Sequence, residues 1–93
     1  MKIYQSRLFE KKVKKMSKAE KNALDREVRI IAENQDVGEE KKGDLKGVFV
    51  HKFKLKTNLY LLAYRKKGFD LELIMFGSHE NYYRDLKSYL KSR

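Results

Sequence analysis

The run Gly77-Ser78-His79-Glu80-Asn81-Tyr82-Tyr83 gathers an imidazole, a carboxylate, an amide and two phenols at one place in the chain. Imidazole titrates near neutrality and so suits proton transfer at working pH. The run falls where an apolar strand gives way to a last helix. Such junctions expose backbone N–H groups and favour bound anions. The chain has 23 Lys+Arg against 13 Asp+Glu, a formal net charge of +10, so the first anion to consider is a phosphate. Cleavage of RNA without a metal uses the ribose 2′-hydroxyl as nucleophile. It needs a base for that hydroxyl, cations for the growing phosphorane charge and an acid for the leaving 5′-oxygen. A histidine at a helix start, an exposed tyrosine and lysines on a sheet supply these groups.

The lysines lie in His51-Lys52-Phe53-Lys54-Leu55. Alternate strand residues share a face, so Lys52 and Lys54 point together while Phe53 and Leu55 point into a core. From Lys52 to Lys67 the chain carries five lysines and one arginine and no acid. That stripe is an electrostatic footprint for a phosphate backbone, although lysine also guards edge strands. His51, with Phe49 and Phe53 in its own parity, packs or lies at a core margin. Tyr82 and Tyr83 point about 100° apart on a helix and cannot both face the core. Tyr82 fits the Leu86/Tyr89 stripe. Tyr83 either reaches Leu86 and Leu90 or faces an open sheet, where it could stack on a base.

These groups need a scaffold that 93 residues can build as one domain, spanning residues 1–93. With no cysteine, a disulfide framework and a Cys-based metal site are excluded, and no metal or cofactor is expected. No apolar run approaches membrane-spanning length, and the expected compartment is the cytoplasm. Residues 2–5 read as a short strand. Phe9, Val13 and Met16 then take helical spacing, with lysines on the opposite side. Ser17-Lys18-Ala19-Glu20 has capping-box spacing and opens a second helix, striped by Leu24, Val28 and Ile31, to about Asn34. Residues 35–47 read as a loop. Val48–Leu55, Leu59–Arg65 and Phe69–Phe76 are three strands whose short connections force antiparallel neighbours. A helix over 79–91 closes the chain. The expected class is α+β in the order β-α-α-β-β-β-α, with the sheet on a helical hairpin and its other face partly open.

In this order of elements and these residues, the chain resembles the RelE/ParE superfamily of type II toxin–antitoxin toxins over essentially its whole length. The segments that carry the resemblance are His51-Lys52-Phe53-Lys54-Leu55, Leu61-Leu62-Ala63-Tyr64 and Gly77–Tyr83. The resemblance implies, for the RelE and YafQ types, an mRNA interferase that cuts mRNA on the ribosome without metal. Lys52 and Lys54 match lysines that contact the RNA backbone, and Leu61 stands where RelE-type members carry an arginine. His79 and Tyr83 have the spacing of a histidine and an aromatic that take part in cleavage in the YafQ type. His79, Tyr83, Lys52 and Lys54 are therefore the catalytic candidates. Lys56, Arg65, Tyr82 and Arg84 are the further RNA-binding candidates. ParE-type members share the fold but inhibit DNA gyrase, and that target stays open as the alternative. The resemblance also implies an antitoxin partner, acidic to suit the +10 charge, with a free toxin that is monomeric and a hetero-oligomer with the antitoxin.

Overall fold

A computed structural model describes residues 1–92. Its elements run β1 (Ile3–Gln5), α1 (Arg7–Lys14), α2 (Lys18–Glu33), β2 (Glu39–Glu40), β3 (Val48–Leu55), β4 (Asn58–Lys67), β5 (Asp70–Ser78) and α3 (Tyr82–Ser92). The five strands form one sheet in the order β1-β5-β4-β3-β2. Among the described residues, only β1, against β5, pairs parallel. The β-α-α-β-β-β-α order expected from the sequence is present, with β2 added.

Local chemistry sets the helix boundaries. Ser6 caps α1 by accepting from Phe9 N, and its hydroxyl donates to Ile74 O across the sheet edge. Ser17 and Glu20 close the capping box that starts α2. Each such cap contributes about 1 kcal/mol by satisfying helix donors that would otherwise lack a partner.

Two apolar layers flank the sheet. On one side, Phe9 of α1 with Leu24 and Ile31 of α2 packs against Phe53, Leu55, Leu62, Tyr64, Leu71, Leu73 and Phe76. On the other, Tyr82 and Leu86 of α3 pack against Val48, Val50, Leu61, Ala63, Ile74 and Met75. Burial on both faces explains why β5 is buried without alternation from Leu71 to Gly77. β3, nearer the edge, alternates cleanly where Lys52 and Lys54 are exposed beside buried Phe53 and Leu55.

β4 is longer at both ends than the Leu59–Arg65 expected from the sequence, and three differences bear on the site. β5 runs through Gly77 to Ser78, and α3 begins at Tyr82 rather than at residue 79. His79, Glu80 and Asn81 form a turn in which Asn81 takes φ 58°, a left-handed geometry that Asn tolerates. Within residues 35–47, Glu39 and Glu40 pair with β3 as a short edge strand. The turn to that strand is held by Tyr64, whose hydroxyl donates to Gln35 O at 2.6 Å and accepts from Gly38 N at 2.9 Å. Gly38 admits the phenol closely, since a Cβ there would lie 2.8 Å from its oxygen. Among the described residues, no helix is long and apolar enough to cross a membrane.

Phe9 links α1 to the sheet, being 1% exposed and edge-on to Phe76 at 4.9 Å between ring centroids. Phe9→Ala should cost about 3–5 kcal/mol, most of the stability of a domain this small. Urea unfolding should show a midpoint moved far down, with the slope retained.

Candidate functional site

The sheet register brings distant segments of the sequence into rows. Lys52 lies opposite Leu61, and Leu61 lies opposite Gly77. Lys54 lies opposite Leu59, and one step past the last β4–β5 pair, Tyr60 and Ser78, the chain reaches His79. Lys54 and His79 are thus about two strand spacings apart, roughly 10 Å between backbones. Between them on β4 lies Leu59, which is 39% exposed. Lys52, Lys54 and His79 are all exposed, so this end of the sheet offers cations and an imidazole around an apolar floor.

Tyr83 closes the other side. It is half-buried on α3, edge-on to Tyr82, with Lys41 Nζ 5.0 Å from its ring centroid. Lys41 in turn pairs with Glu39 on the edge strand. The Glu39 carboxyl is held below its usual range, first by the hydrogen bond from Lys41 and less by the field of Lys52. The Lys41 ammonium is raised, first by that hydrogen bond and also by the Tyr83 hydroxyl. Lys41 and Glu39 therefore join Lys52 and Tyr83 in one electrostatic group. The sequence reading placed them in a loop, because a two-residue strand leaves no periodicity to read.

Lys12 is a second residue the sequence reading passed over. β1 covers β5 only over Leu71–Leu73, so the rest of that edge needs other donors. Lys12 Nζ supplies one to Phe76 O at 2.8 Å. It lines a cavity of about 270 Å³ with Leu8, Gly77, Tyr82, Glu80 and Asp85. Burial lowers its pKa, and the charge of Asp85 partly restores it. The helical spacing had put Lys12 among the solvent-facing lysines of α1.

Of the four RNA-binding candidates, Tyr82, Arg65 and Lys56 do not gather at this site. Tyr82 is 2% exposed, and its hydroxyl donates to Met75 O at 2.6 Å. Burial pushes that phenol far above its ordinary range, so it stays protonated and sealed from any base or RNA. The assignment of Tyr82 to RNA binding is corrected: it is a core residue, as its place in the Leu86/Tyr89 stripe indicated. Arg65 pairs with Val48, at the opposite end of β3 from Lys54. Lys56 occupies the β3–β4 turn with φ 58° and acts electrostatically on Glu20 of α2, on the helical-hairpin side. Arg84 is exposed beside Asp85, 3.7 Å away. His51 sits at the margin of the core, its Nε2 2.8 Å from Glu27 Oε1. Among the described residues, no three His, Asp or Glu side chains converge as a metal site.

Comparison with known proteins agrees with this architecture. Residues 3–87 match a family model described as a ParE-like toxin of type II bacterial toxin–antitoxin systems. Two similar solved structures come from E. coli. In the intact RelBE toxin–antitoxin complex, the matching chain is 17% identical with a TM-score of 0.67, over 85% of this chain and 96% of that one. The isolated RelE toxin is 17% identical with a TM-score of 0.64, over 95% and 97%. At that identity the likeness is one of fold. No curated protein matches the chain in sequence.

Two outcomes test this geometry. Tyr82→Phe leaves Met75 O without its donor and should cost about 1–2 kcal/mol. Thermal melting should show this as a drop of about 4–8 °C per kcal/mol for a domain this small. The Glu39–Lys41 pair has a worked sign at each end of the pH scale. A depressed carboxyl contributes above its unfolded pKa and loses that contribution as pH falls through the lowered folded value. A raised ammonium contributes below its unfolded pKa and loses it as pH rises through the raised value. The NMR shift of the Glu39 side-chain carboxyl should therefore stay level from about pH 5 to 10 and move outside that window.

Proposed function

The chain belongs to the ParE-like toxins of type II bacterial toxin–antitoxin systems, and from that membership we propose that it is a ribosome-dependent endoribonuclease that cleaves mRNA. The observation that carries the reading is the register that sets Lys52, Lys54 and His79 around one exposed end of the sheet. A ParE-type inhibitor of gyrase has no need for an exposed imidazole at the same end of the sheet as two exposed lysines.

In the proposed reaction, the ribose 2′-oxygen attacks the adjacent phosphorus while its proton passes to a base. The bond from phosphorus to the 5′-oxygen breaks, and that oxygen takes a proton from an acid. A cyclic phosphate and a 5′-hydroxyl result. His79 performs one of the two proton transfers. Lys52 and Lys54 hold the phosphate and stabilise the charge that grows on its oxygens in the transition state. Tyr83 is a stacking or proton-transfer group, its ring held at the site by Lys41. General acid–base groups contribute roughly 10²–10⁴-fold each, and positioning supplies much of the rest.

The proposed partner is an acidic antitoxin, since type II toxins act within toxin–antitoxin pairs and the E. coli neighbour is a toxin–antitoxin complex. The chain's +10 charge favours fast, salt-sensitive association with such a protein. The ParE-like family match also keeps gyrase inhibition as a second reading.

Cleavage of mRNA on translating ribosomes separates the two. His79→Ala should lower the rate about 10²–10⁴-fold and Lys54→Ala by a similar order, with both variants folded. Unchanged cleavage in His79→Ala, Lys54→Ala and Tyr83→Phe would remove the site assignment. Intact mRNA together with blocked gyrase supercoiling by the wild type would favour the second reading.

A further inference from the structure

Arg65 was read from the sequence as part of the same cationic stripe as Lys52 and Lys54, yet the fold places it elsewhere. Its partner on β3 is Val48, whereas Lys54 faces Leu59. Six residues of strand, about 20 Å at roughly 3.3 Å each, lie between the two positions. At that end a separate cleft of about 330 Å³ opens between the sheet and the last turns of α3. Arg65, Lys87 and Lys91 line it, over Leu45 and Leu90, with Asp44 as the acid among them.

Three features set these cations apart from a generally basic surface. Arg65 is half-buried, and among the described residues none of the three forms a salt bridge. Lys87 and Lys91 are one helical turn apart, so their like charges repel on the same helix face. Lys91, in the last turn, offsets the helix dipole there, and Arg65 lies opposite the buried Glu72 of β5, but neither accounts for Lys87. Three cations from two elements therefore line one cleft.

We propose that Arg65, Lys87 and Lys91 form a second phosphate-binding cleft that holds the RNA backbone away from the cleavage site. The proposal rests on RNA as the target of this toxin. The planar guanidinium of Arg65 fits a phosphate bidentately, and the two lysines add point charges around it. The leucine floor accepts a ribose or base without requiring hydrogen bonds. The span from Lys54 corresponds to about six steps of a stacked strand at 3.4 Å each. The cleft therefore engages a different segment of RNA from the one held at Lys52, Lys54 and His79.

The test measures binding of a 2′-O-methyl RNA oligonucleotide, which keeps the phosphates but lacks the attacking hydroxyl. Affinity is followed against salt for wild type, for R65Q/K87Q/K91Q and for K52Q/K54Q. The triple variant should bind about 10–100-fold more weakly at low salt, and its log–log salt slope should fall by about 2, at about 0.7 per lost phosphate contact. The double variant K87Q/K91Q changes only exposed side chains, so it keeps the fold even if loss of Arg65 does not, and its slope should fall by about 1.4. If K52Q/K54Q lowers the slope and both cleft variants leave it at the wild-type value, the cleft is overturned, whereas the nuclease reading falls only if wild-type protein leaves mRNA on translating ribosomes intact. If the cleft variants lower the slope in a protein that cuts no mRNA, the cleft stands without that reading. Polyglutamate is the control ligand, and an equal loss of affinity for it would overturn the assignment to phosphate.

Discussion

The organisation of this protein follows from a mismatch of lengths on one face of its sheet. β4 has ten residues, about 33 Å of strand, whereas α3 has eleven, about 16 Å of helix. The helical hairpin can cover the opposite face, but a single short helix cannot cover this one. α3 therefore seals Val48, Val50, Leu61, Ala63 and Met75, its last turns reaching the row of Arg65, and leaves the end beyond Lys52 to solvent. Charged residues collect at the margins of that cover because apolar ones there would remain wet. Lys52, Lys54 and His79 stand at one end, and Arg65 with Lys87 and Lys91 at the other.

The same constraint shapes the edge of β5. Because β1 is only three residues long, backbone carbonyls beyond Leu73 lack a strand partner. Ser6 and Lys12 serve Ile74 O and Phe76 O. A side chain at Gly77 would collide with the second of these, since its Cβ would lie 2.9 Å from Lys12 Nζ. The edge is thus protected from pairing with another chain, and the strand is pinned up to the turn that carries His79. The rigidity of the candidate site comes from satisfying these polar groups as much as from the core.

Neighbouring residues divide between structure and chemistry at Tyr82 and Tyr83. The first is a core residue that anchors α3 to Met75 O, and the second is half-exposed against Lys41. Helical geometry requires that adjacent side chains part by about 100°, so Tyr83 packs only at the margin of the core that buries Tyr82. Which surface Tyr83 met there depended on where the edge strand brought Lys41. Glu39 and Lys41 gained their place only through backbone pairing with β3.

Sequence alone determined what local periodicity and capping can express. The Phe9/Val13 and Leu24/Val28/Ile31 stripes, the Ser17–Glu20 box and the alternation around Lys52 and Lys54 each act over a few residues. They set the order of elements and the α+β class, and with them the resemblance to a toxin family. Tertiary structure decided everything that depends on register and coverage. It separated Arg65 from Lys54, turned Lys56 towards α2, buried Tyr82 and started α3 after His79 instead of at it. It also drew Lys41 to Tyr83 and Lys12 to the edge of β5. Such placements are fixed by which strands pair and how far one helix reaches, and no short window of sequence carries either distance.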